Sequence, residues 1–187
     1  MRIVSGRFRG KALIAPPGAD TRPTSDRARQ AIFNILEHAP WSPGLHDARV
    51  MDVFAGSGAL GLEALSRGAA MCLFVETDEA ARGAIRQNID AMDLFGATRV
   101  HRRDAADLGV KPGSDGEPFD LAFLDPPYGK GLGEKALAGL ASGGWLKPGA
   151  TCVFERGAGE VDGPPPGYEL LDARTYGAAK VLFLRLA

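Results

Sequence analysis

One stretch of the chain decides the fold: Arg49-Val50-Met51-Asp52-Val53-Phe54-Ala55-Gly56-Ser57-Gly58-Ala59-Leu60-Gly61. It begins as an apolar run typical of a buried strand, passes through a glycine-rich turn and continues into leucines at helical spacing. Gly56 and Gly58 allow the backbone to turn sharply and approach a ligand, and Gly61 allows the helix to pack on the sheet. The stretch therefore predicts a strand, a loop and a helix whose first amides face a ligand.

Outward from this stretch, apolar runs typical of strands alternate with helical patterns. The strand candidates are residues 49–54, 71–75, 98–102, 121–124 and 150–154, and helices are expected from Ala59, from Asp78 and over 132–142. This alternation indicates an α/β fold with a Rossmann-like, doubly wound, mostly parallel sheet. Two later apolar runs, 168–171 and 181–186, are joined by a polar segment too short for a long helix. They predict a C-terminal antiparallel hairpin.

The composition is that of one globular domain. With 187 residues, 45% of them hydrophobic and 24% charged, the chain is long enough for one buried core and short for two domains. We expect a single domain over residues 1–187. It would comprise a small basic N-terminal arm or hairpin at 1–24 and a Rossmann-like catalytic core at 25–187, which opens with a capped amphipathic helix over 27–36.

Cysteine usage and hydropathy indicate the compartment. Cys72 and Cys152 lie in apolar runs and are expected to be buried and reduced. The sequence shows no leader, no apolar run of membrane length, no Cys-x-x-Cys pair and only scattered histidines. We therefore expect a cytoplasmic protein without membrane contact and without a metal.

The N-terminal region differs in charge from the rest of the chain. Seven basic and two acidic residues give the first 30 residues a charge of +5, so the remainder carries −6 of an overall −1. Basic residues interleaved with apolar residues and glycine are expected in an arm or hairpin that contacts a phosphate backbone. The candidate RNA-contacting residues are Arg2, Arg7, Arg9, Lys11 and Arg22. The alternative is a solvated edge strand whose basic side chains prevent aggregation.

Two consecutive prolines follow the strand candidate at 121–124, in the sequence Asp125-Pro126-Pro127-Tyr128. Proline donates no backbone hydrogen bond and would end a central strand, so the carbonyls of Asp125 and Pro126 are free to accept from a ligand amine. An ordinary tight turn is the alternative interpretation. The candidate catalytic residues are Asp125, Pro126, Pro127 and Tyr128.

A carboxylate lies at the end of each of four strand candidates: Asp52, Glu76, Asp104 and Asp125. Ligands of doubly wound sheets bind at the carboxyl ends of the strands, so these side chains are expected at one site. Asp52 would repel a pyrophosphate but suits an ammonium group. Glu76 suits ribose hydroxyls and Asp104 suits an adenine edge. These features favour S-adenosylmethionine as the cofactor.

The glycine-rich loop leaves two alternatives open. Its spacing, Gly56-x-Gly58-x-x-Gly61, also fits a dinucleotide fingerprint, and Asp52 could serve only to orient the loop. A typical dehydrogenase would need a further domain for its substrate, for which the chain has little room. The candidate cofactor-binding residues are Asp52, Phe54, Ala55, Gly56, Ser57, Gly58, Glu76, Asp104 and Ala105.

These motifs resemble those of class I S-adenosylmethionine-dependent methyltransferases that modify exocyclic amines. A narrower resemblance covers the chain end to end: residues 2–10, 21–29 and 52–69 are similar to the RsmD family, the bacterial 16S ribosomal RNA guanine-N2 methyltransferases. The N-terminal phrase is the specific part, since the other motifs are shared with adenine methyltransferases of DNA.

The resemblance implies a seven-stranded fold with an antiparallel last hairpin and S-adenosylmethionine as donor. It implies as acceptor the N2 amine of a guanine in 16S rRNA, within an assembling small ribosomal subunit. In related sites the group at position 125 and the Pro126 carbonyl hold the amine, Tyr128 stacks on the base and Glu76 takes the ribose. Aspartate first and tyrosine last both occur in amine methyltransferases, so the pair does not choose guanine over adenine.

A DNA adenine-N6 methyltransferase is the leading alternative, because it shares the catalytic motif, although the chain has little room for a domain that reads DNA sequence. A protein-glutamine methyltransferase, a nicotinamide oxidoreductase and a non-catalytic RNA-binding module each explain fewer features. The sequence leaves open which guanine is methylated, whether the RNA is free or assembled, the oligomeric state, and whether Asp125 takes the proton.

Overall fold

The computed structural model describes residues 1–18, 24–160 and 163–187. The main elements are α1 (Asp26–His38), β1 (Arg49–Val53), α2 (Ala59–Ser66), β2 (Met71–Val75), α3 (Glu79–Ala91), β3 (Thr98–His101), β4 (Phe119–Leu124), α4 (Leu132–Ser142), β5 (Leu146–Gly157), β6 (Tyr168–Tyr176) and β7 (Ala179–Leu186). Helix α1 begins after Ser25, whose hydroxyl caps it by accepting from the Ala28 amide. The predicted alternation of strands and helices is confirmed.

The seven strands form one sheet in the order β3-β2-β1-β4-β5-β7-β6. Strands β1 to β5 pair in parallel, and β7 runs antiparallel to both β5 and β6. The doubly wound fold with a C-terminal antiparallel hairpin is therefore confirmed. The chain order reverses between β1 and β4, and a ligand crevice is expected at the carboxyl ends of these strands.

Alternating side chains divide the core into two halves, one on each face of the sheet. Val50, Phe74 and Phe123 pack with α1, α2 and α3, whereas Met51 and Leu73 pack with α4 on the opposite face. Because helices cover both faces, the buried positions of β1, β2 and β4 are apolar with one exception. That exception is Asp52.

The C-terminal hairpin is longer than predicted. Strand β6 continues through Tyr176 and β7 begins at Ala179, so the polar segment expected to join two short strands is itself strand, closed by a turn at Gly177. Strand β5 likewise spans Leu146–Gly157 rather than 150–154. The apolar runs were shorter than the strands because β6 is a largely exposed edge strand, and edge strands tolerate charged side chains.

The first thirteen residues form a short hairpin, here called the N-terminal hairpin (residues 1–13). Arg2 bridges Ala12, and the Ile3 amide donates to the Lys11 carbonyl at 2.9 Å. Ile3 itself is buried in the core. Gly6 has a φ of +87° and lies against α2, where an added Cβ would meet the Ser66 carbonyl oxygen at 2.0 Å. This contact requires glycine.

Glu63 of α2 holds the N-terminal hairpin against the helix through hydrogen bonds. Its side chain is fully buried and accepts from the amides of Val4 at 2.8 Å and Ser5 at 3.1 Å. It also accepts from Arg67 Nε at 2.9 Å and lies 3.5 Å from Nε of the buried Arg29 on α1. A buried ionic cluster therefore joins the hairpin, α1 and α2.

A membrane span requires a long apolar helix, and a metal site requires several ligating side chains close together. Among the described residues, no helix is long and apolar enough to cross a membrane. Within the same ranges, no three His, Cys, Asp or Glu side chains are grouped to hold a metal ion. Cys72 and Cys152 are buried free thiols, and burial raises the pKa of both.

Candidate active site

A cavity of about 800 Å³ opens at the carboxyl ends of β1, β2 and β4. Its wall brings together the strand-end carboxylates, most of the glycine-rich loop and the proline turn. The predicted site residues that line it are Asp52, Phe54, Ala55, Gly56, Ser57, Glu76, Asp104, Ala105, Asp125, Pro126, Pro127 and Tyr128. Gly58 does not line the cavity; it caps the start of α2 with a φ of 81°. The structure thus brings twelve of the thirteen predicted catalytic and cofactor-binding residues to one wall, and their roles stay a prediction.

The loop between β1 and α2 is held in a left-handed conformation. Phe54 and Gly56 have φ values of 61° and 58°, and a positive φ costs a non-glycine residue such as Phe54 free energy. The Glu76 carboxylate accepts from the Gly56 amide at 2.8 Å and from the Asp78 amide at 2.9 Å. Glu76 therefore orients the loop and leaves acceptor capacity for a ligand hydroxyl.

Asp52 is only 2% exposed and its Oδ2 accepts from the Gly61 amide at 3.0 Å. Burial is the main cause that raises its pKa to about 8; the Gly61 hydrogen bond opposes this shift and the charge of Glu76 adds to it. This hydrogen bond supports the interpretation that Asp52 orients the glycine-rich loop. Because Asp52 also lines the cavity, contact with a cationic ligand group stays a prediction.

Stability should fall with rising pH because of Asp52. Between its usual pKa near 3.8 and the folded value of about 8, the folded chain keeps a proton that the unfolded chain has lost. The stabilisation is complete below the lower value and lost at the upper one, with a slope of up to about 1.4 kcal/mol per pH unit. Urea unfolding across this range should show a flatter slope for Asp52→Asn. An equal pH dependence of the free energy of unfolding in the wild type and in Asp52→Asn would contradict the raised pKa of Asp52.

Asp104 lies on the exposed rim of the cavity. Its Oδ1 accepts from the Ala106 amide at 2.9 Å, which fixes the carboxylate beside the buried Ala105. A second oxygen remains for a donor such as an exocyclic amine.

The proline turn follows the last residue of β4, Leu124, as predicted. Burial raises the pKa of Asp125 well above its usual range, and so do the charge of Glu155, a hydrogen bond with Glu155 and the charge of Asp52. The Tyr128 hydroxyl donates to Glu155 Oε1 at 3.0 Å. Glu155 therefore contacts both ends of the Asp-Pro-Pro-Tyr turn.

Sequence reasoning missed Glu155, although the signal was present. Like Glu76 and Asp125, it directly follows an apolar run, here residues 150–154. In the structure β5 continues to Gly157, so Glu155 lies within the strand and not after the end predicted at residue 154.

Sequence reasoning also missed the part that the N-terminal segment has in the cavity wall. Residues of this segment that line it are Met1, Ala15, Pro16, Pro17, Gly18 and Thr24. Asn88 of α3 holds the segment in place: its side chain accepts from the Ile14 amide at 2.8 Å, donates to the Ile14 carbonyl at 3.0 Å and donates to the Ser57 carbonyl at 3.4 Å. Asn88 therefore binds both the N-terminal segment and the glycine-rich loop.

Of the predicted RNA-contacting residues, the four that the structure describes do not line the cavity. Arg2, Arg7, Arg9 and Lys11 are exposed on the N-terminal hairpin, where Arg2 donates to the Gly10 carbonyl at 2.9 Å. Arg22 lies outside the described residues. The arrangement suits contact with a phosphate backbone, and the solvated-edge alternative stays open.

Comparisons with known proteins place the chain in a family. The family model described as Conserved hypothetical protein 95 matches residues 1–185. "Ribosomal RNA small subunit methyltransferase D" of Escherichia coli K12 is 38% identical over 155 residues, which are 83% of this chain and 74% of that protein. The protein of the same name from Haemophilus influenzae is 34% identical over 181 residues, 95% of this chain and 89% of that one.

Solved structures of methylases have the same fold as this chain. A putative methyltransferase of Escherichia coli superposes with a TM-score of 0.81 at 30% identity, covering 100% of this chain and 97% of its own. A putative methylase of Haemophilus influenzae gives a TM-score of 0.80 at 31% identity, covering 100% and 98%. The chain thus belongs to the Conserved hypothetical protein 95 family, the RsmD family to which its sequence motifs pointed.

Proposed function

We propose that this protein transfers a methyl group from S-adenosylmethionine to the N2 amine of a guanine in 16S rRNA of the small ribosomal subunit. The observation that carries the proposal is the single cavity wall that joins the glycine-rich loop, the strand-end carboxylates and the Asp125–Tyr128 turn. Relatives named as small-subunit rRNA methyltransferases support an rRNA substrate, and they do not favour the DNA adenine-N6 alternative.

The residues of the cavity fit S-adenosylmethionine better than a dinucleotide. A buried carboxyl, Asp52, lines the cavity. An ammonium group beside it would favour the ionised carboxylate and be attracted to it, whereas a pyrophosphate would gain no such attraction. The loop amides before α2 can take the carboxylate of an amino acid, Glu76 the ribose and Asp104 the adenine edge. When bound, the cofactor supplies an electrophilic sulfonium methyl.

The acceptor side of the reaction depends on positioning. An exocyclic amine is a poor nucleophile because its lone pair is delocalised into the ring. Asp125 and the Pro126 carbonyl would accept its hydrogens, orient the lone pair and stabilise the positive charge that grows on nitrogen. Tyr128 would stack on a base that has left its helix.

The cellular setting follows from the same proposal. The substrate is 16S rRNA within an assembling small ribosomal subunit, and the enzyme acts in the cytoplasm without a metal. Residues 1–187 function as a single methyltransferase domain, since Ile3 and Leu13 of the N-terminal region are buried in the same core as the sheet.

The test is to incubate the protein with radiolabelled S-adenosylmethionine and unmodified small subunits, naked 16S rRNA or unmethylated DNA, and then to identify the labelled nucleoside. Label in N2-methylguanosine is expected, and the sample that carries it shows the assembly state of the substrate. Label in N6-methyladenine of DNA would overturn the proposal in favour of the alternative.

Glu76→Ala is expected to weaken cofactor binding first. Charge-assisted hydrogen bonds contribute about 1.5–3 kcal/mol, so the Kd for S-adenosylmethionine should rise by roughly 10- to 100-fold, measured by titration calorimetry. Glu79→Ala, at an exposed position on the next helix, is the control and should leave the Kd unchanged. Unchanged affinity in Glu76→Ala would remove Glu76 from the site.

Neutralising Arg7, Arg9 and Lys11 together should weaken RNA binding and flatten its salt dependence. Each lost phosphate contact should reduce the slope of log K against log salt by about 0.7–0.9. Fluorescence anisotropy of labelled rRNA at several salt concentrations measures this slope. The affinity for S-adenosylmethionine is the control and should not change. An unaltered slope would favour the solvated-edge interpretation of the hairpin.

A further inference from the structure

Glu155 is a carboxylate of β5 at the junction of two cavities. Tyr128 and Thr24 line both the cofactor cavity and a second cavity of about 680 Å³, and Glu155 lines the second one. The Tyr128 hydroxyl donates to Glu155 Oε1 and the Thr24 hydroxyl donates to Oε2, each at 3.0 Å. The carboxylate is therefore held in one orientation between the two cavities.

The sheet places Glu155 beside Asp125. Leu124 pairs with Phe154 in the register between β4 and β5, so Asp125 and Glu155 are the next residue on each of two parallel neighbours. Their side chains form a hydrogen bond with each other. Two carboxyl groups thus stand side by side at the position where the amine of the target base is proposed to lie.

Such a pair matches one nucleobase edge better than another. The Watson–Crick edge of guanine presents two adjacent donors, the N1–H and the N2 amine, whereas the N6 amine of adenine is flanked by N1, an acceptor. A second carboxylate next to Asp125 would accept from guanine N1–H, but it would face the lone pair of adenine N1. Edge contacts of this kind discriminate between flipped bases.

We propose that Glu155 selects guanine as the target base by accepting a hydrogen bond from its N1–H while Asp125 and the Pro126 carbonyl hold the N2 amine. This rests on the proposed function and names the residue that gives that site its base specificity. A carboxylate offers about four acceptor positions, so the contacts from Tyr128, Thr24 and Asp125 leave room for the guanine donor.

The raised pKa of Asp125 is compatible with this role. Burial and the charge of the adjacent Glu155 favour the protonated form of the Asp125 carboxyl. A protonated carboxyl still has an oxygen that accepts, so Asp125 can hold the amine while the Glu155 carboxylate takes the N1–H. The second cavity, whose wall also includes Arg27, Tyr176 and Val181, gives the base access to Glu155.

The test compares two purines that carry the same 2-amine. The methylated guanine is first mapped with the wild-type enzyme, and the rRNA is then rebuilt by ligation with 2,6-diaminopurine at that position, which replaces the N1–H by an acceptor. The wild type should prefer guanine in kcat/KM by on the order of tenfold to a hundredfold. Glu155→Gln should reduce this ratio to roughly threefold or less, because its amide can donate as well as accept.

Two further variants separate specificity from folding. Glu155→Asp keeps the carboxylate and should retain a preference for guanine even where overall activity falls. Glu169→Gln, at an exposed position on β6, should leave the ratio unchanged. An equal loss on both substrates in Glu155→Gln, or a wild type that does not distinguish them, would overturn the proposal. A wild type that methylates no guanine would instead refute the proposed function.

Discussion

Alanine at position 125 is expected to lower kcat for methyl transfer by about 10²–10³-fold while the Kd for S-adenosylmethionine changes by less than about threefold. Loss of one preorganised group that stabilises developing charge has an effect of this order. The carboxyl lies at the end of β4, next to the Pro126 carbonyl, where an amine would be held on two sides. Single-turnover rates on small subunits and calorimetric titration of the cofactor measure the two effects.

Asp125→Asn and a stability measurement complete this prediction. Asparagine keeps one acceptor oxygen and should retain part of the activity. Burial and the neighbouring Glu155 raise the pKa of the Asp125 carboxyl, so its removal should leave stability at neutral pH unchanged or increased. Wild-type turnover in Asp125→Ala would exclude the proposed role, and a destabilised variant would point to a folding defect instead.

Glu63→Ala is expected to reduce the free energy of unfolding by about 3–5 kcal/mol, because removal of one partner from a buried ionic cluster is strongly destabilising. Arg29 would keep only Asp26, and Arg67 only Glu37, as an ionic partner among the described residues. The buried Arg67 and Arg29 would lose their shared carboxylate, and the amides of Val4 and Ser5 would lose their acceptor. Urea unfolding at neutral pH measures the loss.

Hydrogen exchange gives the local check on Glu63. The amides of Val4 and Ser5 should exchange faster in Glu63→Ala, and Glu63→Gln, which keeps an acceptor oxygen, should lie between the variant and the wild type. The exposed Glu117→Ala serves as the control and should change stability by no more than about 0.5 kcal/mol. A loss below about 1 kcal/mol in Glu63→Ala would contradict the role of the ionic cluster.

Most of the fold, and the part of the cavity wall at the strand ends, could be predicted because they depend on local patterns. The bounds of β2 and α4 match the predicted runs at 71–75 and 132–142, since a buried strand and an amphipathic helix carry their own periodicity. Four carboxylates of the cavity wall, Asp52, Glu76, Asp104 and Asp125, were predicted by one rule, that acids at the ends of parallel strands converge.

What sequence reasoning missed depends on contacts between distant parts of the chain. Glu155 becomes part of the site through its neighbours Thr24, 131 residues away, and Tyr128, 27 residues away. The contact of Asn88 with Ile14 spans 74 residues and joins two segments whose sequences carry no common pattern. The exposed polar half of β6 likewise has strand geometry because β7 pairs with it, which its own composition does not indicate.

Helix α2 begins directly after the glycine-rich loop, and its last turn contacts the N-terminal hairpin. Its eight residues span about 12 Å. A rigid rod of fixed length therefore separates the glycine loop from the basic hairpin. With the proposed contact between the basic hairpin and the rRNA backbone, the distance from the bound phosphates to the methylated base would be constant. Among all guanines of similar surroundings, only one at the right distance from the gripped phosphates could meet the methyl group.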